Sequence, residues 1–279
     1  MRIVGIFDPA KLPLAGEIAA RLSLLIACIL LVFASRTLVF YVTDPGSDLL
    51  LQLGIQGAAL SGITGLAWIP LFSKGGKSGL KLSLWGLPAA AFVLLPFAVV
   101  TLARGAVAAL PGAEWFAGLG CLLLAAAAEE IEFRGFLLDA LAFRRAMIPS
   151  VLVTSALFGL VHTDNPGSNP LAIINIFLFG ILLCGLRFMT RGLAAPILLH
   201  WLWNAVTGMV LGVNVSGLTI PSILRPEGAM PWGAFGPEES PALTILLTAS
   251  IALVFLRLAR SPWAGGGAAA GVPGRPGPS

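Results

Sequence analysis

The chain has 279 residues, of which 57% are hydrophobic and only 11% charged, with a mean hydropathy of +0.94; a soluble domain would carry about 25% charge. That composition excludes a soluble globular domain and reads as an integral membrane protein. The formal net charge of +4 is spread between apolar segments, a pattern of membrane topology and not of nucleic-acid binding, so no nucleic-acid partner is expected.

Eight apolar segments follow one another at roughly 18–42, 50–72, 82–103, 115–143, 148–162, 171–189, 193–213 and 242–258, each bounded by charges, Pro or Gly. The fifth is short for a lone crossing, a length that a helix packed inside a bundle tolerates. The expected fold is therefore all-α: a polytopic bundle of about eight transmembrane helices, forming one domain over 1–260. Residues 261–279 are rich in Gly, Pro and Ala and are expected to be a disordered tail. No internal repeat suggests a transporter's inverted halves.

Lys and Arg prefer the cytoplasmic side of short loops, and their distribution here alternates. Arg2, Lys11 and Arg21 precede the first segment; Lys74, Lys77 and Lys81 follow the second; Arg144 and Arg145 the fourth; Arg187 and Arg191 the sixth; Arg257 and Arg260 the eighth. The intervening loops carry mainly acidic residues, among them Asp44, Asp48, Asp164, Glu227, Glu238 and Glu239. Both termini are thus expected in the cytoplasm, with the bundle in the cell membrane if the host is prokaryotic. Asp8 and Glu17 precede the first apolar run without a small-residue cleavage site, which does not read as a cleaved signal peptide. Cys28, Cys121 and Cys184 each fall within an apolar segment and outside any CxxC pattern, as packing residues do.

The functional signal lies in the polar residues of segments four, five and seven. Glu129 and Glu130 interrupt an apolar run, where an ionisable side chain costs several kcal/mol unless it faces a cavity or a partner. Glu130 and Arg134 are four apart and can pair along one helical face. Glu129 points about 100° away and has no such local cation, which makes it the candidate for chemistry. Glu132, three residues on, lines the same cavity or contacts a second helix. The only two histidines, His162 and His200, lie in or at the edge of apolar segments, and His200 is one helical turn from Asn204. Counted as straight helices at about 1.5 Å per residue, Glu129, His162, His200 and Asn204 lie roughly 13–22 Å from the expected cytoplasmic ends, which allows the three helices to converge.

The order EEIEFR (Glu129–Arg134), FGLVH (Phe158–His162) and HWLWN (His200–Asn204) resembles the EExxxR, FxxxH and HxxxN motifs of the CPBP family, which includes the CAAX prenyl-protein endopeptidases and the bacterial Abi-type proteases. The stretch 175–196 resembles that family's small-residue-rich sixth helix, and the resemblance spans about 115–213, the expected protease core. It implies that Glu129 activates the attacking water with help from His162. It also implies that His200 and Asn204 polarise the scissile carbonyl and stabilise the oxyanion, with Glu130 and Arg134 in support. A carboxylate in an apolar cavity suits general-base work, and fixed donors in a dry site stabilise a developing oxyanion better than water does.

The expected activity is hydrolysis of a peptide bond in a membrane-associated or lipidated protein or peptide, with membrane lipid as surroundings and no cofactor. An alternative is a zinc-dependent version of the same protease, with Glu129, His162 and His200 as ligands, although the HExxH signature of zinc proteases is absent. A second alternative is a non-enzymatic membrane scaffold or bacteriocin immunity protein, against which the intact motifs argue. In isolation, His162, His200 and Asn204 also suit interhelical hydrogen bonding, and Trp201 and Trp203 suit packing or interfacial positions.

Overall fold

A computed structural model describes residues 84–141 and 147–260, together with the isolated positions 16, 19, 23 and 26. The expected segments 18–42 and 50–72, apart from three of those positions, and the tail at 261–279 lie outside the described residues. The other six segments are all helical. Helix α1 spans Gly86–Ala103, α2 Ala113–Glu130, α3 Met147–Leu160, α4 Pro170–Thr190, α5 Ala194–Asn204 and α6 Pro241–Ala259. Two of these do not stop where their α-geometry ends. After Glu130, α2 runs through a π-helical stretch, Ile131–Leu137, into a last α-turn, Leu138–Leu141; α5 likewise continues as a π-helical stretch, Ala205–Val210.

Local chemistry sets several of these boundaries. Asn169 caps α4, its side-chain oxygen accepting from the Ala172 N–H at 3.1 Å, and Pro170 follows at the first helical position. Ser240 and Pro241 repeat the device at α6, with Ser240 Oγ accepting from Ala242 N–H at 3.1 Å. A capping oxygen satisfies an orphan N–H, and Pro has none to lose. At its far end α4 closes on Arg191 in the left-handed conformation (φ 55°).

Helix α4 is the central post, packed against α3, α5 and α6, while α5 is also flanked by α1 and α2. The core runs through Val93 and Phe97 of α1, Phe158 of α3, Leu182, Leu183 and Leu186 of α4, Leu199 and Trp203 of α5, and Leu247 of α6. Close approach depends on small residues. A Cβ at Gly86 would lie 2.6 Å from the Ala195 carbonyl oxygen, so this glycine lets α1 seat against the start of α5.

The outward surface is apolar. Leu95, Val99 and Leu102 of α1 and Ile245, Leu253 and Leu256 of α6 are exposed, a lining that suits lipid and not water. Three described helices, α1, α4 and α6, are long and apolar enough to cross a membrane. Among the described residues, length and composition thus support three of the eight expected crossings. Helix α3 has only 14 residues and α5 only 11 before its π-helical stretch, and α2 carries ionisable residues where it continues past Glu130.

The described residues are mostly helical, as expected, with one short exception. Outside the helices, Ala106–Ala108 (β1) pairs antiparallel with Leu224–Pro226 (β2), in register Ala106 to Pro226, Val107 to Arg225 and Ala108 to Leu224. Both strands lie in connections between helices, where the backbone must find partners outside any helix.

Gly86→Ala should force α1 away from α5 and destabilise the protein by about 1–3 kcal/mol, as overpacking does. The check is the thermal unfolding midpoint of the purified protein in detergent; an unchanged midpoint would mean that the helix contact is looser than described.

Candidate active site

Glu130, Arg134 and His200 meet in the buried interior of the bundle. Glu130 and Arg134 are fully buried and His200 is 5% exposed. The Arg134 guanidinium donates to Glu130 Oε1 at 2.8 Å, and His200 Nδ1 donates to the same oxygen at 2.9 Å. A carboxylate only accepts, so the Nδ1 proton is fixed by its partner and Nε2 points away from Glu130. Glu130 thus ties α2 to α5 across 70 residues of sequence, a bond that the spacing to Arg134 does not disclose.

Phe158 organises the rest of the wall. The Arg134 guanidinium carbon lies 4.1 Å from its ring centroid, a cation–π contact that helps hold a buried charge. The rings of His162 and His200 meet Phe158 edge-on at 5.1 and 5.9 Å, and Phe179 of α4 meets His200 at 5.9 Å. The aromatic residue of the second motif therefore serves as the surface on which both histidines and the arginine are set. Sequence reading assigned it no role.

His162 follows the end of α3 in a turn, its N–H donating to the Gly159 carbonyl at 3.1 Å. Its Nδ1 donates to the Phe158 carbonyl at 2.8 Å. A carbonyl cannot donate, so this bond too places the proton on Nδ1 and makes Nε2 the basic nitrogen of the neutral ring. Glu129 is partly exposed, and its Oε2 lies 3.9 Å from His200 Nε2. It thus stands beside the imidazole nitrogen opposite the one that Glu130 holds.

His162, His200 and Asn204 line one cavity of about 30 Å³, together with Asn175, Ser216 and Glu238. That volume exceeds the roughly 10–15 Å³ needed for one water, and the wall is polar enough to bind it. Glu129 is not one of the lining residues and approaches them at His200, 3.9 Å away. Glu132 is buried in the π-helical stretch and is not part of the cavity wall. Both π-helical stretches begin directly after motif residues, Glu130 and Asn204. Such insertions change the phase of the side chains that follow and are frequent at functional sites.

The two tryptophans hold α5 in place. Trp201 donates from Nε1 to the Leu119 carbonyl of α2 at 3.0 Å, and Trp203 donates to Glu238 Oε1 at 3.0 Å. Glu238 and Ser216 come from the connection between α5 and α6, which sequence reading treated as a loop of outer charges. Among the described residues no group of three His, Cys, Asp or Glu side chains is arranged to hold a metal ion.

Breaking a buried ion pair leaves an uncompensated charge and costs about 3–5 kcal/mol. Arg134→Met should therefore lower the denaturation midpoint in detergent sharply, and the double variant Glu130→Leu/Arg134→Met should recover part of the loss. A single variant as stable as the parent would contradict the pairing.

Residues 111–206 match a protein-family model described as Rce1-like, the type II CAAX prenyl endopeptidase Rce1-like family. No curated protein and no solved structure matches the chain. The matched segment contains α2 to α5 and all of Glu129, Glu130, Arg134, His162, His200 and Asn204. The three motifs fall inside this match, so residues 111–206 are similar to the type II CAAX prenyl endopeptidase Rce1-like family.

Proposed function

We propose that the protein is an intramembrane endopeptidase that hydrolyses a peptide bond of a membrane-associated or lipidated protein or peptide by a glutamate-dependent mechanism. One observation carries this reading: His200 is held at Nδ1 by the Glu130–Arg134 pair while its Nε2 faces Glu129 at 3.9 Å, on the wall of a water-sized cavity. The Rce1-like match favours a lipidated C-terminal segment as the substrate class.

In this mechanism Glu129 takes a proton from a water in the cavity, with His162 Nε2 orienting that water. The water oxygen adds to the scissile carbonyl carbon. The resulting oxyanion is stabilised by the Asn204 amide and by His200 protonated at Nε2. Collapse breaks the C–N bond, and the proton held by Glu129 passes to the leaving amine. Glu130 and Arg134 do not touch the substrate; they fix the imidazole before it arrives, so no reorganisation is required as charge develops.

We place the termini in the cytoplasm on the alternation of basic loops. The contact of Arg257 at the end of α6 with the Trp85 ring at the start of α1, 4.6 Å from the centroid, supports a shared end for those two helix termini.

Quantitative mass spectrometry of protein termini in host membranes expressing wild type or Glu129→Gln at equal levels tests the proposal. New termini should appear with wild type and vanish with the variant; their absence, with both proteins folded and abundant, would overturn it. With a cleavable peptide in hand, Asn204→Ala should lower kcat by about 10²–10³, the usual cost of one oxyanion donor. Complete chelation of divalent metals should leave cleavage intact, and loss restored by Zn²⁺ alone would overturn the glutamate mechanism.

A further inference from the structure

Glu238 belongs to the 3₁₀ turn Pro237–Glu239, outside the matched segment 111–206, and the mechanism does not use it. It is nonetheless 4% exposed and lines the same cavity as His162, His200 and Asn204. Its Oε1 accepts from Trp203 Nε1 at 3.0 Å and from the Ser216 N–H at 3.1 Å. Its Oε2 is buried and has no hydrogen-bond partner among the described residues. An orphan carboxyl oxygen in a cavity wall is costly, and such groups are retained where they have work to do.

The turn that carries Glu238 is built to put it there. Asn175 Nδ2 donates to the carbonyl oxygens of Glu238 at 2.8 Å and Ser240 at 3.0 Å, and Asn175 Oδ1 accepts from Thr244 Oγ1 at 2.7 Å. Asn169 bonds the neighbouring Glu239. Gly236 has φ 112°, and a Cβ there would lie 2.1 Å from the Asn214 carbonyl oxygen, so the turn requires glycine. Three helices and a loop thus converge on holding one carboxyl in the cavity.

Among the described residues no cation forms an ion pair with that carboxyl. Burial pushes Glu238 up to about 7, against the lowering effect of the Trp203 and Ser216 donors. In the neutral acid, the oxygen that takes the two N–H donors is the carbonyl oxygen, so the proton resides on Oε2. The cavity wall therefore carries an O–H donor that the described residues do not engage. A peptide entering an apolar cleft brings backbone carbonyls that lose water and need donors.

We infer that Glu238 is a substrate-binding residue, its protonated carboxyl donating from Oε2 to a backbone carbonyl of the bound peptide. This inference rests on the endopeptidase reading. Below about pH 7 the donor is present; as pH rises through that value, Glu238 ionises, the donor is lost, and a carboxylate opposes the carbonyl. KM should therefore rise with pH. His162 after α3 and His200 of α5 line the same cavity and Glu239 adjoins Glu238 in sequence, whereas α4 and α6 present the neutral Asn175 and Thr244, so a variant at 238 is needed to isolate the effect.

The test is the pH dependence of KM and kcat for a fluorogenic farnesylated CaaX peptide, with the full chain in liposomes. Wild-type KM should rise about tenfold from pH 6 to pH 8.5, the cost of one lost hydrogen bond in a buried site. Glu238→Gln keeps an acceptor for Trp203 and Ser216 and an N–H donor in place of Oε2–H; it should keep the low KM and remove its rise. Glu238→Leu should raise KM about tenfold at pH 6 with kcat within about threefold. A wild-type KM indifferent to pH, a Gln variant that binds as poorly as Leu, or a collapse of kcat in the Gln variant would each overturn the inference. If the Leu variant fails to fold, the Gln profile alone decides. A wild type no more active than Glu129→Gln would instead sink the endopeptidase reading. Affinity of the same peptide for Glu129→Gln, with and without Glu238→Gln across the pH range, would still test Glu238.

Discussion

The site depends on one carboxylate oxygen. Glu130 Oε1 accepts from Arg134 and from His200 at 2.8 and 2.9 Å, with all three side chains in the dry interior. Placing a charge there costs several kcal/mol that only a partner offsets, and two donors on one oxygen supply that compensation. The same contact fixes the helix positions. Arg134 sits on the Phe158 face, which sets α3 against α2, and His200 brings α5 to both. Without this contact Nε2 of His200 would have no defined orientation, and Glu129 would stand beside no fixed partner.

The surrounding bundle makes that arrangement possible. An apolar exterior on α1 and α6 keeps the interior free of competing water, so each polar group must find its partner within the protein. Trp201 and Trp203 meet this demand with indole N–H bonds to α2 and to the α5–α6 connection. Asn175 does the same from α4 by clamping the turn ahead of α6. The cavity is thus closed on one side by a connection that side chains of α4 and α5 hold in place.

Much of this is legible in the sequence, and the limit has a physical form. Helices α1 to α6 are legible because each apolar run is delimited by charges, Pro or Gly, and caps such as Asn169-Pro170 and Ser240-Pro241 are local. The Glu130–Arg134 pair is legible because four residues is one helical turn. The motif order is what suggests convergence of α2, α3 and α5. Beyond that, local patterns fail. Nothing in the neighbourhood of Glu130 specifies a bond to a histidine 70 residues away. The π-helical stretches after Glu130 and Asn204 defeat a straight-helix count of depth. Glu238 looks like any acidic residue in a loop until Trp203 and Ser216 are seen to hold it. The β1–β2 pair is equally hidden, because three-residue strands carry no periodicity.

The central claim is that Glu130 holds His200 by its Nδ1 proton. The chain has only two histidines, so ¹⁵N-histidine NMR of the protein in detergent gives a spectrum simple enough to test it directly. The account predicts a protonated, strongly hydrogen-bonded Nδ1 on His200 whose signal moves in Glu130→Gln while that of His162, bonded to the Phe158 carbonyl, does not. An unprotonated Nδ1 on His200, or a His200 signal indifferent to Glu130→Gln, would contradict it.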